Sequence, residues 1–139
     1  MSFVLDSSVA LSWCFKDEQS PESLEILNQV RRRAAFVPSL WHVEMSNILG
    51  MTFRRNRLTE ADLGIVLKMF ATLELHTGTV FPSISTSVLL PLMQAYALTA
   101  YDAAYLELAL LLNLPLATLD RQVSFASEQA GVSLLCKPI

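Results

Sequence analysis

Cysteine and histidine are scarce in this chain, charge is sparse, and no apolar stretch runs unbroken for long. The two cysteines, Cys14 and Cys136, stand far apart and form neither a disulfide framework nor a zinc-ligand pattern. Both are expected as small apolar core residues. His42 and His76 have no partner pattern and read as structural or surface residues. The Ser7-Ser8 pair has no base placed beside it for nucleophile chemistry. The first residues, Met1-Ser2-Phe3-Val4-Leu5-Asp6, hold no basic region and no long apolar stretch, so no signal peptide is expected. The longest apolar run, over residues 106–119, is broken by Glu107, Asn113 and Pro115. It falls short of the ~18 uncharged residues a membrane span wants. The expected setting is soluble, reducing and cytoplasmic. Lys and Arg number 10 against 13 Asp and Glu, for a net charge of -3. That is not the bulk charge of a strong non-specific nucleic-acid binder.

Apolar residues are what the chain has in quantity: 53% of 139 residues, against 17% charged. The length is one ordinary domain, large enough to bury a core without staples. So rich an apolar supply fits a sheet covered on both faces and leaves apolar surface for a partner.

The order of elements can be read from spacing. Phe3-Val4-Leu5 is a buried strand, ended by Asp6-Ser7-Ser8 as a helix cap, with a short helix over residues 9–15. Ser20-Pro21-Glu22 opens a helix that runs to Arg31, Arg32 and Arg33. Phe36-Val37-Pro38 is a second strand, and a helix follows over residues 40–54. Thr59 caps the next helix, with Leu63, Val66, Leu67 and Phe70 on one face. Leu73-Glu74-Leu75-His76 alternates as a third strand. Residues 83–97 form an amphipathic helix that Pro91 should bend or interrupt. Residues 99–112 form an apolar helix, 114–119 a strand, and 120–130 a last helix closed by Gly131. Residues 132–135 are a final strand. Strands alternating with helices predict a three-layer α/β/α domain, 1–139, around a parallel sheet of four to five strands. No repeat, low-complexity stretch or linker interrupts it.

Four carboxylates stand out. Asp6 ends the first strand, and Asp120 stands where the strand at Leu116 gives way to the last helix. Each alone suits an N-cap. Glu44 has Leu40, Trp41, Asn47 and Ile48 as helix neighbours, a largely apolar face where an unpartnered carboxylate is costly. It either edges out to solvent or an arginine, or it is functional. Asp102 follows Thr99 in a Thr-x-x-Asp pattern that resembles a capping box, yet small and apolar residues surround it. Taken as a set, the four are expected to converge. Ligands of open parallel sheets bind outside the carboxyl ends of the strands; Asp6 and Asp120 sit at such ends, and Glu44 and Asp102 lie in helices expected to begin at the same edge. Converging carboxylates repel, and a cation reconciles them. Oxygen ligands without Cys or His select Mg²⁺ or Mn²⁺, which suits phosphodiester hydrolysis. Ser8 is expected to hold a water or a metal ligand by hydrogen bonding.

These stretches resemble the PIN domain, in particular the toxins of VapBC-type toxin–antitoxin pairs. The residues carrying the likeness are Val4-Leu5-Asp6-Ser7-Ser8-Val9-Ala10-Leu11, Val43-Glu44-Met45-Ser46-Asn47-Ile48-Leu49, Tyr101-Asp102-Ala103-Ala104-Tyr105-Leu106-Glu107-Leu108-Ala109 and Leu114-Pro115-Leu116-Ala117-Thr118-Leu119-Asp120, with Gly131-Val132 closing the chain. Their order and spacing together are the specific signal. The resemblance implies a Mg²⁺- or Mn²⁺-dependent endoribonuclease. It carries the family's acidic quartet onto Asp6, Glu44, Asp102 and Asp120. The small polar position beside the first acid falls on Ser8, and the hydroxyl before the last acid on Thr118. It also implies an RNA substrate, an antitoxin covering the active-site groove, and frequent homodimers.

Two other readings compete. One is a phosphoryl-transfer or receiver-like domain with Asp6 as acceptor. It lacks a second acid at the first strand, Ser8 occupies the place a phosphatase gives to Asp, and its only late lysine is Lys137. The other is a non-catalytic interaction domain whose acids are caps. Arg54, Arg55 and Arg57 form a cluster that either is a solvated helix end or grips an RNA backbone.

Overall fold

A computed structural model describes residues 2–77, 85–136 and 138. Five strands, β1 (Phe3–Leu5), β2 (Ala35–Val37), β3 (Leu75–Thr77), β4 (Leu116–Ala117) and β5 (Leu134–Cys136), form one parallel sheet in the order β3-β2-β1-β4-β5. Seven α-helices flank it among the described residues: α1 (Ser7–Cys14), α2 (Pro21–Arg32), α3 (Leu40–Arg54), α4 (Glu60–Ala71), α5 (Thr86–Tyr96), α6 (Ala100–Leu112) and α7 (Arg121–Gln129). This is the expected three-layer α/β/α arrangement.

β1 is central, and its three residues are completely buried, as are Leu116 and Ala117 of β4. Strands covered on both faces read as unbroken apolar runs, which is how Phe3-Val4-Leu5 could be recognised. From β1 the chain builds outward through β2 to β3, then crosses back to lay β4 on the other side of β1. Connections therefore leave β1 and β4 in opposite directions, and a crevice opens at their carboxyl ends.

Element ends shift by identifiable causes. β2 stops before Pro38, whose carbonyl instead accepts the Trp41 N–H at 3.0 Å and starts α3. β3 begins at Leu75, because the Leu73 N–H is taken by the Phe70 carbonyl at the end of α4. β4 is far shorter than 114–119: Pro115 has no N–H to give, and the Thr118 hydroxyl turns into the crevice. α5 runs unbroken through Pro91 from Thr86 to Tyr96, so the proline removes one hydrogen bond without interrupting the helix. The expected start of this helix at Ser83 lies outside the described residues, as does Lys137. Gly131, at φ +81, closes α7. Its N–H reaches Glu128 and that of Val132 reaches Ser127, at 3.2 and 2.8 Å, the paired bonds of a left-handed helix stop. Of the cysteines, Cys136 is buried and Cys14 only partly so; both are free thiols. Among the described residues no single helix is long and apolar enough to cross a membrane.

Candidate active site

Asp6 stands at the N-cap position of α1 with extended backbone, but its side chain caps nothing. Its Oδ2 accepts two hydrogen bonds, from Ser8 Oγ at 2.6 Å and Thr118 Oγ1 at 2.7 Å. Among the described residues no hydrogen bond reaches Oδ1. The two hydroxyls are themselves fixed: the Leu119 N–H donates to Ser8 Oγ at 2.9 Å, and the Asp120 N–H to Thr118 Oγ1 at 3.0 Å. The turn after β4 is thereby stitched to the turn after β1. Asp6 is only 3% exposed, and burial pushes its carboxyl up to about 6 from an ordinary 3.8. Ser8 and Thr118 pull the other way, while the charges of Asp102 and Glu44 add to the rise.

Asp102 lies in the first turn of α6. Thr99 Oγ1 accepts its N–H at 3.2 Å. The return bond that would complete a capping box is not formed. At the start of α4 the same pattern, Thr59 to Asp62, closes both bonds. The two aspartates respond oppositely. Hydrogen bonding to Thr59 lowers the Asp62 carboxyl. Partial burial raises that of Asp102, reinforced by Asp120 and, more weakly, Glu44, against the Thr99 hydroxyl.

Asp120 does act as a cap: its Oδ1 accepts the Val123 N–H at 2.9 Å. This helix end holds the acid at the crevice. Glu44 is partly buried beside the apolar stripe of Trp41, Met45 and Leu49 on α3. Its Oε1 accepts the Tyr105 hydroxyl at 2.6 Å. Tyr105 was not among the residues singled out from sequence. Its signal was available, since a fully buried tyrosine needs a partner for its hydroxyl.

The four acids are thus electrostatic neighbours: Asp6 responds to Asp102 and Glu44, and Asp102 to Asp120 and Glu44. Besides burial, the groups that shift Asp6 and Asp102 are the hydroxyls of Ser8, Thr118 and Thr99 and the neighbouring carboxylates. Among the described residues no three His, Cys, Asp or Glu side chains already stand as a closed metal-ligand set. Like charges resist closer approach until a cation is present. The donor chemistry, hard oxygens without sulfur or imidazole, fits Mg²⁺ or Mn²⁺.

Other candidates lie elsewhere. His42 Nε2 pairs with Thr77 Oγ1 at 3.1 Å, and His76 Nε2 with Glu74 Oε1 at 3.0 Å. Arg54, Arg55 and Arg57 are exposed at the far end of α3, about 15 Å along the helix axis from Glu44. Arg32, in the last turn of α2, pairs with Glu25 at 3.2 Å.

Fold and acids together define an α/β domain with a carboxylate cluster in the switch-point crevice of a parallel sheet. The PIN domain model matches residues 3–127, and the chain belongs to the PIN domain family. PIN domains are generally nucleases and usually use divalent metal ions. The crystal structure of PAE2754 from Pyrobaculum aerophilum matches with a TM-score of 0.68 at 19% identity, covering 97% of this chain and 92% of that one. At that identity the likeness shows the fold. No curated protein matches the sequence.

Proposed function

We propose that the chain is a Mg²⁺- or Mn²⁺-dependent endoribonuclease whose ligand set is Asp6, Glu44, Asp102 and Asp120. The observation that carries the reading is that Asp6 and Asp102, at the carboxyl edge of the sheet, are each pushed upward in part by neighbouring carboxylates, Glu44 and Asp120 among them. A bound divalent cation supplies an acidified water and charge neutralisation at a scissile phosphate. Ser8 and Thr118 orient Asp6 by occupying Oδ2, which leaves Oδ1 as its ligating atom. Asp120 is held by its own helix end. In its finer form the reading makes the chain the cytoplasmic toxin of a type II toxin–antitoxin pair, homodimeric and restrained by an antitoxin. The motif resemblance supports this, and so do exposed apolar side chains such as Val43, Ile65 and Leu67, at 70%, 67% and 66% exposure, which suit a protein partner.

The test is cleavage of total cellular RNA by the purified chain. Cutting should appear with Mg²⁺ or Mn²⁺, stop with a chelator, and be lost in Asp6→Asn and Asp102→Asn while both variants remain folded. Full activity in either variant would remove that acid from the role assigned to it. Incorporation of phosphate from acetyl phosphate, lost in Asp6→Asn, would favour the phosphoryl-transfer reading instead.

A further inference from the structure

Tyr105 has the largest of the completely buried side chains among the described residues. Burying a phenol calls for a hydrogen-bond partner, and a backbone carbonyl would satisfy it. Here the hydroxyl donates instead to Glu44 Oε1, at 2.6 Å and 61 positions away in sequence, with the Ser7 side chain as a further hydrogen-bond partner of the phenol. The geometry points to Tyr105 as a positioning residue of the acid cluster: its hydroxyl holds one oxygen of Glu44 and leaves the other for a divalent cation shared with Asp6 and Asp102. This inference rests on the nuclease reading.

Three observations support it. First, Glu44 sits at the edge of the buried stripe of α3, with Val43, Asn47 and Ile48 exposed around it. Untethered, its flexible side chain would swing outward, because Asp6 and Asp102 repel it. Second, the tether carries no charge. A lysine or arginine there would hold Glu44 equally well but would neutralise the carboxylate a metal needs. A phenol ordinarily ionises only at about pH 10, so the hydroxyl is a neutral donor at neutral pH. Third, Tyr105 lies three residues after Asp102 on α6, on the same face of the helix. One helix therefore supplies a ligand and also fixes a ligand of α3. Metal-binding carboxylates are commonly held by such outer hydrogen bonds, and losing one costs about 10–100-fold in metal affinity or activity.

The test uses the full chain and Tyr105→Phe, which keeps the ring. Calorimetric titration with Mn²⁺ should show affinity weakened by about 10–100-fold, and RNA cleavage should fall at limiting Mn²⁺ and recover as the metal saturates. Glu44→Asp keeps the charge but falls short of the hydroxyl, and should lose affinity similarly. In a Glu44→Gln background, Tyr105→Phe should have no further effect on Mn²⁺ binding. A merely structural tyrosine would lower the metal-free melting temperature and leave Mn²⁺ affinity at the wild-type value; that result, or wild-type affinity in Glu44→Asp, overturns the tether alone. A wild-type chain that neither binds Mn²⁺ nor cuts RNA overturns the nuclease reading and the tether with it.

Discussion

Thr118 Oγ1 donates to Asp6 Oδ2 at 2.7 Å across 112 positions of sequence, joining the carboxyl ends of two adjacent parallel strands. Ser8 reaches the same oxygen at 2.6 Å. Two neutral hydroxyls orient this carboxylate without discharging it. Burial and two neighbouring acids work against the charge they hold in place.

Asp6→Asn removes the charge and keeps an oxygen to accept from both hydroxyls. Cleavage should be lost. The metal-free protein should become more stable, by about 1–3 kcal/mol, because an upward shift of a buried carboxyl measures the cost of its ionised form. Denaturant unfolding in chelator checks this. A variant less stable than the wild type would mean that the carboxylate is itself a structural prop.

The pH dependence has a definite sign. With its folded-state value raised to about 6 from 3.8, Asp6 takes up a proton on folding between those limits. Its stabilising contribution is full below 3.8 and is lost as pH rises through about 6. Asp102 shifts the same way. Metal-free wild type should therefore melt higher at pH 5 than at pH 7, measured relative to Asp6→Asn. Mn²⁺ affinity should run oppositely and weaken below about pH 6, since protons compete with the metal for its ligands.

The two Thr-x-x-Asp pairs make a controlled comparison. Asp62→Ala breaks a complete capping box and should lower the melting temperature without touching cleavage. Asp102→Ala breaks no return bond; it should abolish cleavage and leave metal-free stability level or higher. Equal losses of stability in the two variants would mark Asp102 as a cap.

These pairs also show what sequence can and cannot display. Thr59 and Thr99 introduce identical patterns, and only tertiary placement distinguishes them: Asp62 is held by Thr59 alone among close partners in its capping box, whereas Asp102 faces other acids. The strand at Phe3-Val4-Leu5 and the helix starts at Ser20 and Thr59 were legible because local chemistry determines them. The length of β4 was not, because the turn of Thr118 toward Asp6 depends on a strand more than a hundred residues earlier. Asp6 looked like a cap by position, and Asp120 is one. The bond from Tyr105 to Glu44 joins two helices whose contact no local pattern encodes.

Thr118→Val preserves shape and removes the hydroxyl that serves both Asp6 and the Asp120 N–H. Leaving the Asp120 N–H without this acceptor and Asp6 Oδ2 with Ser8 alone should cost about 1–3 kcal/mol and lower cleavage about 10–100-fold. Thr118→Ser should restore most of both. Unfolding curves and cleavage rates on one RNA substrate separate the two effects, and a Val variant with wild-type rate would show that Asp6 needs no such orientation.

The most direct measurement is the melting temperature of the purified chain titrated with Mn²⁺, beside Asp6→Asn and Asp102→Asn. A cation bound by the converged acids stabilises the folded state by mass action, adding about 2.7 kcal/mol at a hundredfold excess over the dissociation constant. The wild type should rise steadily with Mn²⁺ and both variants should stay flat. A wild-type curve that does not move, or variants that climb with it, would contradict the assignment of these carboxylates to a metal.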